Sequence, residues 1–288
     1  MVLEKLCDQE GFAKNNFEII MVDDGSLDNS WSLIQQLHVK DERLKGLKFS
    51  RNFGHHYAIT AGLDFSKGNS VILMDGDLQD KPEEIVKLYD KFKEGYDLVY
   101  GIRSNRQDSL PKRSLAAIFW WSINKMVDVK MPANQTMLRI LRREIVDSLK
   151  EMKEYSRFIH GMMAWTGFKV AEIEVSHAAR LKGTSKYDLK NQIRLALHAV
   201  TSFSIMPLRL AAVLGLLASL LSFTVGIYYI FKKFIFGFPV SGWASIIVSI
   251  FFMGGIQLLM LGTFGEYLGK MYKQSQERPM YIVKEVLN

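Results

Sequence analysis

Two stretches of this chain, Leu210–Phe231 and Trp243–Phe264, run for 22 residues each without a charged side chain. As helices rising 1.5 Å per residue, each reaches across a hydrocarbon core of ~30 Å. A pair of buried core helices is the alternative, and uncharged runs of this length argue against it. Gly237, Pro239 and Gly242 predict a short hairpin between the runs. The net charge of +7 is then expected to face anionic lipid or phosphate, with no nucleic acid as partner. The lone cysteine, Cys7, excludes an intramolecular disulfide and fits a reducing compartment. The polar N-terminus reads as carrying no signal peptide.

Ahead of these runs the pattern changes to short apolar segments alternating with helical ones. Glu18–Val22 reads as a strand ending in Asp23-Asp24-Gly25-Ser26, with Asp28-Asn29-Ser30 capping a helix over 31–39. Leu47–Ser50 reads as a strand ending at Arg51-Asn52-Phe53-Gly54, followed by a helix over 55–65. Val71–Met74 ends in Asp75-Gly76-Asp77-Leu78-Gln79, and Pro82 opens a helix over 83–94. Asp97–Tyr100 and Gly167–Val175 complete the strands. This alternation predicts a doubly wound, mostly parallel α/β sheet, which binds ligands beyond the carboxyl ends of its strands. Asp23, Asp24, Arg51, Asp75 and Asp77 therefore share one rim. Asp75 and Asp77, separated only by a glycine, can converge on a hard divalent cation and leave it positions for a diphosphate. A solvated acidic loop is the plainer reading of Asp-x-Asp alone.

Cations gather in the remaining segments: Arg103, Arg106, Lys112 and Arg113, then Arg139, Arg142 and Arg143, then the loop Arg180–Tyr187. From Lys186, the side chains Lys190, Arg194 and His198 recur every fourth residue beside an apolar stripe of Leu189, Ile193, Leu197 and Val200. That spacing predicts an amphipathic helix lying on the membrane surface. Trp120 and Trp121 suit either the membrane interface or packing. His55-His56 at a helix start reads as facing loop and solvent, and Gln257 as a helix–helix contact.

In this order, Val22-Asp-Asp-Gly-Ser26, Arg51-Asn-x-Gly54, Asp75-Gly-Asp-Leu-Gln79, Arg180-x-x-Gly-x-Ser-Lys-Tyr187 and Gly265-Glu-Tyr267 resemble glycosyltransferase family 2. More narrowly they resemble its polyprenyl-phosphate transferases, the dolichyl-phosphate mannose synthase type. Arg103-x-x-Arg-Gln-Asp-Ser109 and Met137-Leu-Arg139 look most like the bacterial branch serving undecaprenyl phosphate with aminoarabinose-type sugars. The resemblance implies nucleotide contacts at Asp23, Asp24, Arg51 and Asp75. It implies a Mg²⁺ or Mn²⁺ site at Asp75, Asp77 and Gln79, with Asp75, Asp77 and Arg139 catalytic. It implies a lipid-phosphate grip at Arg103, Lys112, Arg139, Arg180, Ser185 and Lys186. Its partners would be a UDP- or GDP-sugar donor, a polyprenyl phosphate acceptor, membrane lipids and a possible second copy of the chain.

Two departures from the family pattern stand out. The pattern's first strand, with its Pro-x-Tyr-Asn-Glu loop, is not read ahead of Phe17 and is expected to be missing, and Ala133-Asn134-Gln135 lacks the carboxylate many members carry there. A phosphate acceptor is already anionic at neutral pH, so transfer to it needs no base. The expected organisation is a cytoplasmic catalytic domain over 1–185, an interfacial helix over 186–206, a transmembrane hairpin over 207–268 and a cytoplasmic tail over 269–288. The expected protein is a metal-dependent, inverting sugar transferase in the inner membrane, serving the cell envelope. The alternatives are a truncated, inactive scaffold and a processive polysaccharide synthase, although the Gln-x-x-Arg-Trp motif of the latter is absent.

Overall fold

The computed structural model describes residues 17–77, 79–103, 135–176, 204–236 and 242–288. The expectations placed on Lys112, Trp120, Trp121, Arg180, Ser185, Lys186 and most of the surface helix lie outside the described residues, as does the hairpin at 237–241. The chain begins with β1 (Ile19–Asp23), α1 (Ser30–Lys40), β2 (Leu44–Phe49), α2 (His55–Phe65) and β3 (Ser70–Leu73). It continues with α3 (Glu84–Lys93), β4 (Leu98–Arg103), β5 (Gln135–Arg142), α4 (Arg143–Glu151), α5 (Ile159–Trp165) and β6 (Val170–Val175). Two long helices, α6 (Met206–Phe236) and α7 (Trp243–Ser275), and a last strand, β7 (Val283–Leu287), follow.

The α/β alternation is as the sequence predicts, but the pairing is mixed rather than mostly parallel. One sheet has the order β1-β2-β7 and the other β3-β5-β4-β6. β1 and β2 pair in parallel, as do β4 and β6. The helical crossovers also keep β3 and β4 pointing the same way. β5 then enters between these two from the opposite direction, so both of its ladders are antiparallel. This strand is not foreseen from the residue pattern, because its arginines read as a basic cluster.

Side chains alternate across the second sheet, as strand geometry requires. Leu98, Tyr100 and Leu141 face one core with Leu63 of α2, Ile145 and Leu149 of α4, and Ile159, Met162 and Met163 of α5. Val99, Leu138 and Ile140 face the other with Ile85 and Leu88 of α3, which sit three residues apart on one helical face. By the same alternation Arg139 falls on the face of Leu141, beneath α2 and α5. α1 opens as expected at Asn29, although the bond that holds the turn is Ser30 N–H donating to Asp28 Oδ1 at 2.9 Å.

α6 and α7 each contain a 30-residue segment, Met206–Ile235 and Ile246–Ser275, long and apolar enough to cross a membrane. Leu216, Phe223 and Phe251 on them are more than 60 % exposed, which marks faces made for an apolar surrounding. Gln257 lines a crevice of about 500 Å³ between α6 and α7, together with Ser219 and Ser222.

After α7 the chain returns to the first sheet instead of trailing away. β7 pairs antiparallel with β2, and Ser50 N–H donates to Ile282 O at 3.0 Å. Tyr281 stacks on Phe49 with ring centroids 5.1 Å apart, and its hydroxyl donates to Asp64 Oδ2 at 2.7 Å. Trp31 Nε1–H donates to Glu285 Oε2 at 3.0 Å, and Lys48 pairs with Glu285 at 3.3 Å. Gln274, in the last turn of α7, accepts from Tyr155 N–H at 2.6 Å and donates to Lys153 O at 2.9 Å. Tyr281→Ala is expected to destabilise the α/β domain by about 2–3 kcal/mol through lost ring burial, and Tyr281→Phe by about 1 kcal/mol or less. Chemical denaturation of the detergent-solubilised chain checks both, and an unchanged midpoint for Tyr281→Ala would count against the clamp.

Candidate active site

The turns after β1 and β3 both reach the start of α2, Asp24 through Gly54 N–H and Asp75 through His55, and the chain there is tied together by carboxylates. Asp23 closes β1; its Oδ1 accepts from Ser26 N–H at 2.8 Å, and its Oδ2 is buried without a partner among the described residues. Asp24 is fully engaged. Its Oδ1 accepts from Phe53 N–H at 2.7 Å and its Oδ2 from Gly54 N–H at 2.9 Å, which fastens the turn before α2 to the turn after β1. Gly25 lies between them at φ +70°, where a Cβ would come within 2.4 Å of the Arg51 carbonyl carbon. Only glycine fits there. Arg51 itself is exposed, its guanidinium 4.2 Å from the centre of the Phe53 ring.

Two residues beyond β3, Asp75 begins the second acidic turn. Asp77 Oδ1 accepts from Gln79 N–H at 3.1 Å. Asp80, buried, accepts from Leu138 N–H at 3.2 Å and so pins this turn to β5. Asp80 is absent from the residues expected at the site, although the spacing Asp75-x-Asp77-x-x-Asp80 displays it as a third carboxylate. Burial holds the Asp75 carboxyl above the usual range, and the charges of Asp77 and Asp80 push it the same way against the pull of His55 and Arg139. Carboxylates crowded in this manner suit a divalent cation. Gly76 between them is exposed, with nothing within 4 Å of where a Cβ would stand. Among the described residues no three His, Cys, Asp or Glu side chains are arranged to enclose a metal. Asp75 and Asp77 would therefore be the protein's share of an open site, the remaining positions falling to water and ligand oxygens. Gln79 is half-buried next to them.

Arg139 is drawn in by β5. It pairs with Leu73 of β3 on one side and Tyr100 of β4 on the other, and its side chain is completely buried. Nη2 donates to Thr136 O at 2.5 Å and Nε to Met137 O at 3.3 Å, while the guanidinium lies 5.0 Å from the centre of the Tyr100 ring. Burial lowers its pKa to about 10, so it remains a cation at neutral pH. Among the described residues it forms no ion pair. Arg103 ends β4 on the same sheet.

His56 departs from its expected place in loop and solvent. Its ring turns inward from the first turn of α2 and packs 5.6 Å from Phe158 and 6.0 Å from His160 of α5. The reason is steric: α2 lies over the second sheet, and His56 is on the side of Thr60 and Leu63, which are buried there. His55 points outward, with Nε2 3.8 Å from Asp75 Oδ1. Burial, with the charges of His55 and Arg139 adding to it, lowers the His56 pKa to about 4. Burial lowers His160 well below the usual imidazole value.

The family model described as glycosyl transferase family 2 matches residues 2–150. Among curated proteins, the chain is 38 % identical over 284 residues to the uncharacterized glycosyltransferase YkcC of Bacillus subtilis, covering 98 % of this chain and 87 % of that one. It is 40 % identical over 268 residues to the bactoprenol glucosyl transferase of Shigella phage SfV, covering 93 % and 87 %. Among solved structures, the mannosyltransferase PcManGT of Pyrobaculum calidifontis superposes with a TM-score of 0.43 at 12 % identity, covering 96 % of this chain and 83 % of that one.

Gly25→Ala is expected to destabilise the domain by about 2 kcal/mol or more, because the positive φ and the Arg51 backbone both oppose a side chain. Gly76→Ala, with open space around it, should change stability by less than ~0.5 kcal/mol. Thermal unfolding of the two variants side by side tests the contrast. The inward-turned, half-buried His56 also makes folding sensitive to acid. Between pH 6.5 and about 4 the unfolded chain protonates His56 while the folded one does not. That contribution to stability is fully present above pH 6.5 and is lost as pH falls toward 4, on the order of 3 kcal/mol. Denaturation midpoints at pH 7 and pH 5 should differ less in His56→Asn than in the wild type.

Proposed function

The chain belongs to glycosyl transferase family 2 and is a glycosyltransferase, and on that premise we propose that it moves one sugar from a nucleotide sugar to a polyprenyl phosphate at a membrane surface. The observation that carries this reading is the meeting, at one end of the second sheet, of an acidic pair with a buried arginine that has no carboxylate partner among the described residues. Asp75 and Asp77 suit a cation-borne diphosphate, and Arg139 suits a second anion. The likeness to bactoprenol glucosyl transferases over nearly the whole chain supports undecaprenyl phosphate as that second anion.

On this reading the unpartnered Oδ2 of Asp23 meets the donor's base or ribose, where a buried carboxylate oxygen gains the hydrogen bond it lacks. Asp24 acts through the loop it holds and keeps Arg51 and the start of α2 in register with β1. Asp75 and Asp77, with Gln79 beside them, would hold Mg²⁺ or Mn²⁺, which when bound offsets the charge of the departing diphosphate. A phosphate oxygen of the acceptor attacks the anomeric carbon. The new carbon–oxygen bond forms as the bond to the nucleoside diphosphate breaks, and the diphosphate leaves with that electron pair. The acceptor is already anionic, so no proton has to be removed, and displacement from the opposite side inverts the anomeric centre. Arg139 lowers the repulsion between the two anions and aligns the incoming one. Arg103 belongs to this grip on the lipid phosphate, together with Lys112, Arg180, Ser185 and Lys186 from outside the described residues.

The same reading makes α6 and α7 a membrane hairpin in the inner membrane. β7, which follows the second span, pairs with β2, which precedes the first, so both ends of the hairpin belong on one side. Nucleotide sugars make that side cytoplasmic, and the domain could work as one copy or several. The test is transfer of labelled sugar to undecaprenyl phosphate by the purified full chain. Asp77→Asn should lower transfer by ~100-fold or more, about 3 kcal/mol of transition-state stabilisation, with folding and membrane association unchanged. Near-full activity of Asp77→Asn without added metal would show the acid pair to be misassigned.

A further inference from the structure

The mechanism leaves three buried polar groups around Arg139 without employment. His56 Nδ1, His160 Nδ1 and the Tyr100 hydroxyl are shut off from solvent, and none has a hydrogen-bond partner among the described residues. Leaving such a buried group unmet costs stability. They are not scattered through the molecule. Tyr100 lies under the Arg139 guanidinium, with Cζ 5.0 Å from its ring centre. Arg139 Nη1 is 3.5 Å from Met163 Sδ, one helical turn from His160 on α5. His56 and His160 face each other at 6.0 Å, with Phe158 wedged at 5.6 and 5.5 Å from them.

We propose that His56, His160 and Tyr100 complete, with Arg139, a pocket for a phosphate monoester, the headgroup of the acceptor. This rests on the transfer reading given above and adds to it the residues that fix the acceptor's oxygens. A phosphate ester offers three acceptor oxygens and no stable donor of its own at neutral pH. The pocket offers the matching inventory: a guanidinium fork, two imidazole N–H groups in the Nδ1–H tautomer, and a phenol O–H. Burial keeps both imidazoles neutral, so they donate without adding to the positive charge of Arg139. Among the described residues no carboxylate hydrogen-bonds to these four side chains, although the charges of Asp75 and Asp80 reach Arg139 and that of Glu172 reaches Tyr100. Asp75 and Asp77 lie on the acidic turn, where a metal-borne diphosphate belongs, Asp80 is buried and tied to Leu138 N–H, and His55 marks the seam with Nε2 3.8 Å from Asp75. The two anions of the reaction are thus sorted by chemistry, one to carboxylates through a cation, the other to neutral and cationic donors directly.

The test uses the full chain in detergent and farnesyl phosphate as a short phosphate monoester, with UDP and GDP titrated in parallel. His160→Asn and His56→Asn should each weaken farnesyl phosphate binding by ~10-fold or more. Whichever nucleotide the wild type binds should keep its affinity within about twofold. In the wild type, labelled with ¹⁵N-histidine, the imidazole resonances of both residues should move as farnesyl phosphate is added, a readout that needs no variant to fold. Resonances unmoved at saturation, or farnesyl phosphate affinity within twofold of wild type in both variants, would overturn the pocket. Inorganic phosphate binding as tightly as farnesyl phosphate would replace the ester with a free anion and end the acceptor assignment. A wild type that binds farnesyl phosphate at these histidines yet transfers no sugar to it would sink the transfer reading and leave the pocket standing.

Discussion

The register of β5 sets the rest of the site. Because this strand runs antiparallel between β3 and β4, Arg139 stands opposite Leu73 on one side and Tyr100 on the other. Leu73 is two residues ahead of Asp75, so the acidic turn begins where the arginine is anchored. A slip of one residue would send Arg139 to the face of Ile85 and Leu88, an apolar core with nothing to receive a cation. Leu138 N–H, held by Asp80, is a second pin on the same register. Burying an arginine costs several kcal/mol even after relaxation, and the nearby charges of Asp75 and Asp80 offset part of that cost. The surrounding core of Leu98, Leu141, Ile145 and Met162 contributes apolar burial around it.

Stability and chemistry are divided between the two turns of the rim. Asp24 is used up in joining the 51–54 loop to β1, so the Asp-Asp pair is one structural acid and one acid with a spare oxygen. The Asp75–Asp80 turn divides in the same way, with Asp80 committed to β5 and Asp75 left in a crowd of like charge. In each turn a carboxylate bonded to backbone N–H groups positions a neighbour whose charge is not fully met.

Much of this was legible in the sequence. Apolar runs ending in Asp23 and Asp75 placed β1 and β3 within a residue, and His55–Phe65 formed the expected helix without change. Uncharged length alone marked both long helices. The losses have physical reasons. β5 carries Arg139 in its interior and Arg142 at its end, and a strand with a buried cation defeats a reading based on apolar alternation. β7 has only five residues, Val-Lys-Glu-Val-Leu, and follows a membrane-length helix, so nothing local separates it from a tail. His56 could not be told from His55 without knowing which face of α2 the second sheet would cover.

The pairing of β7 with β2 has a consequence for how the molecule is made. Phe49 leaves the ribosome 234 residues before Val283, a wait on the order of 10–50 s at ordinary elongation rates. During that interval both apolar helices are synthesised, and the outer edge of β2 stands open to any strand that meets it. The α/β domain therefore closes its first sheet only after the hairpin has been delivered. Completion of the first sheet is in this way timed by the synthesis of the two long helices that precede its last strand.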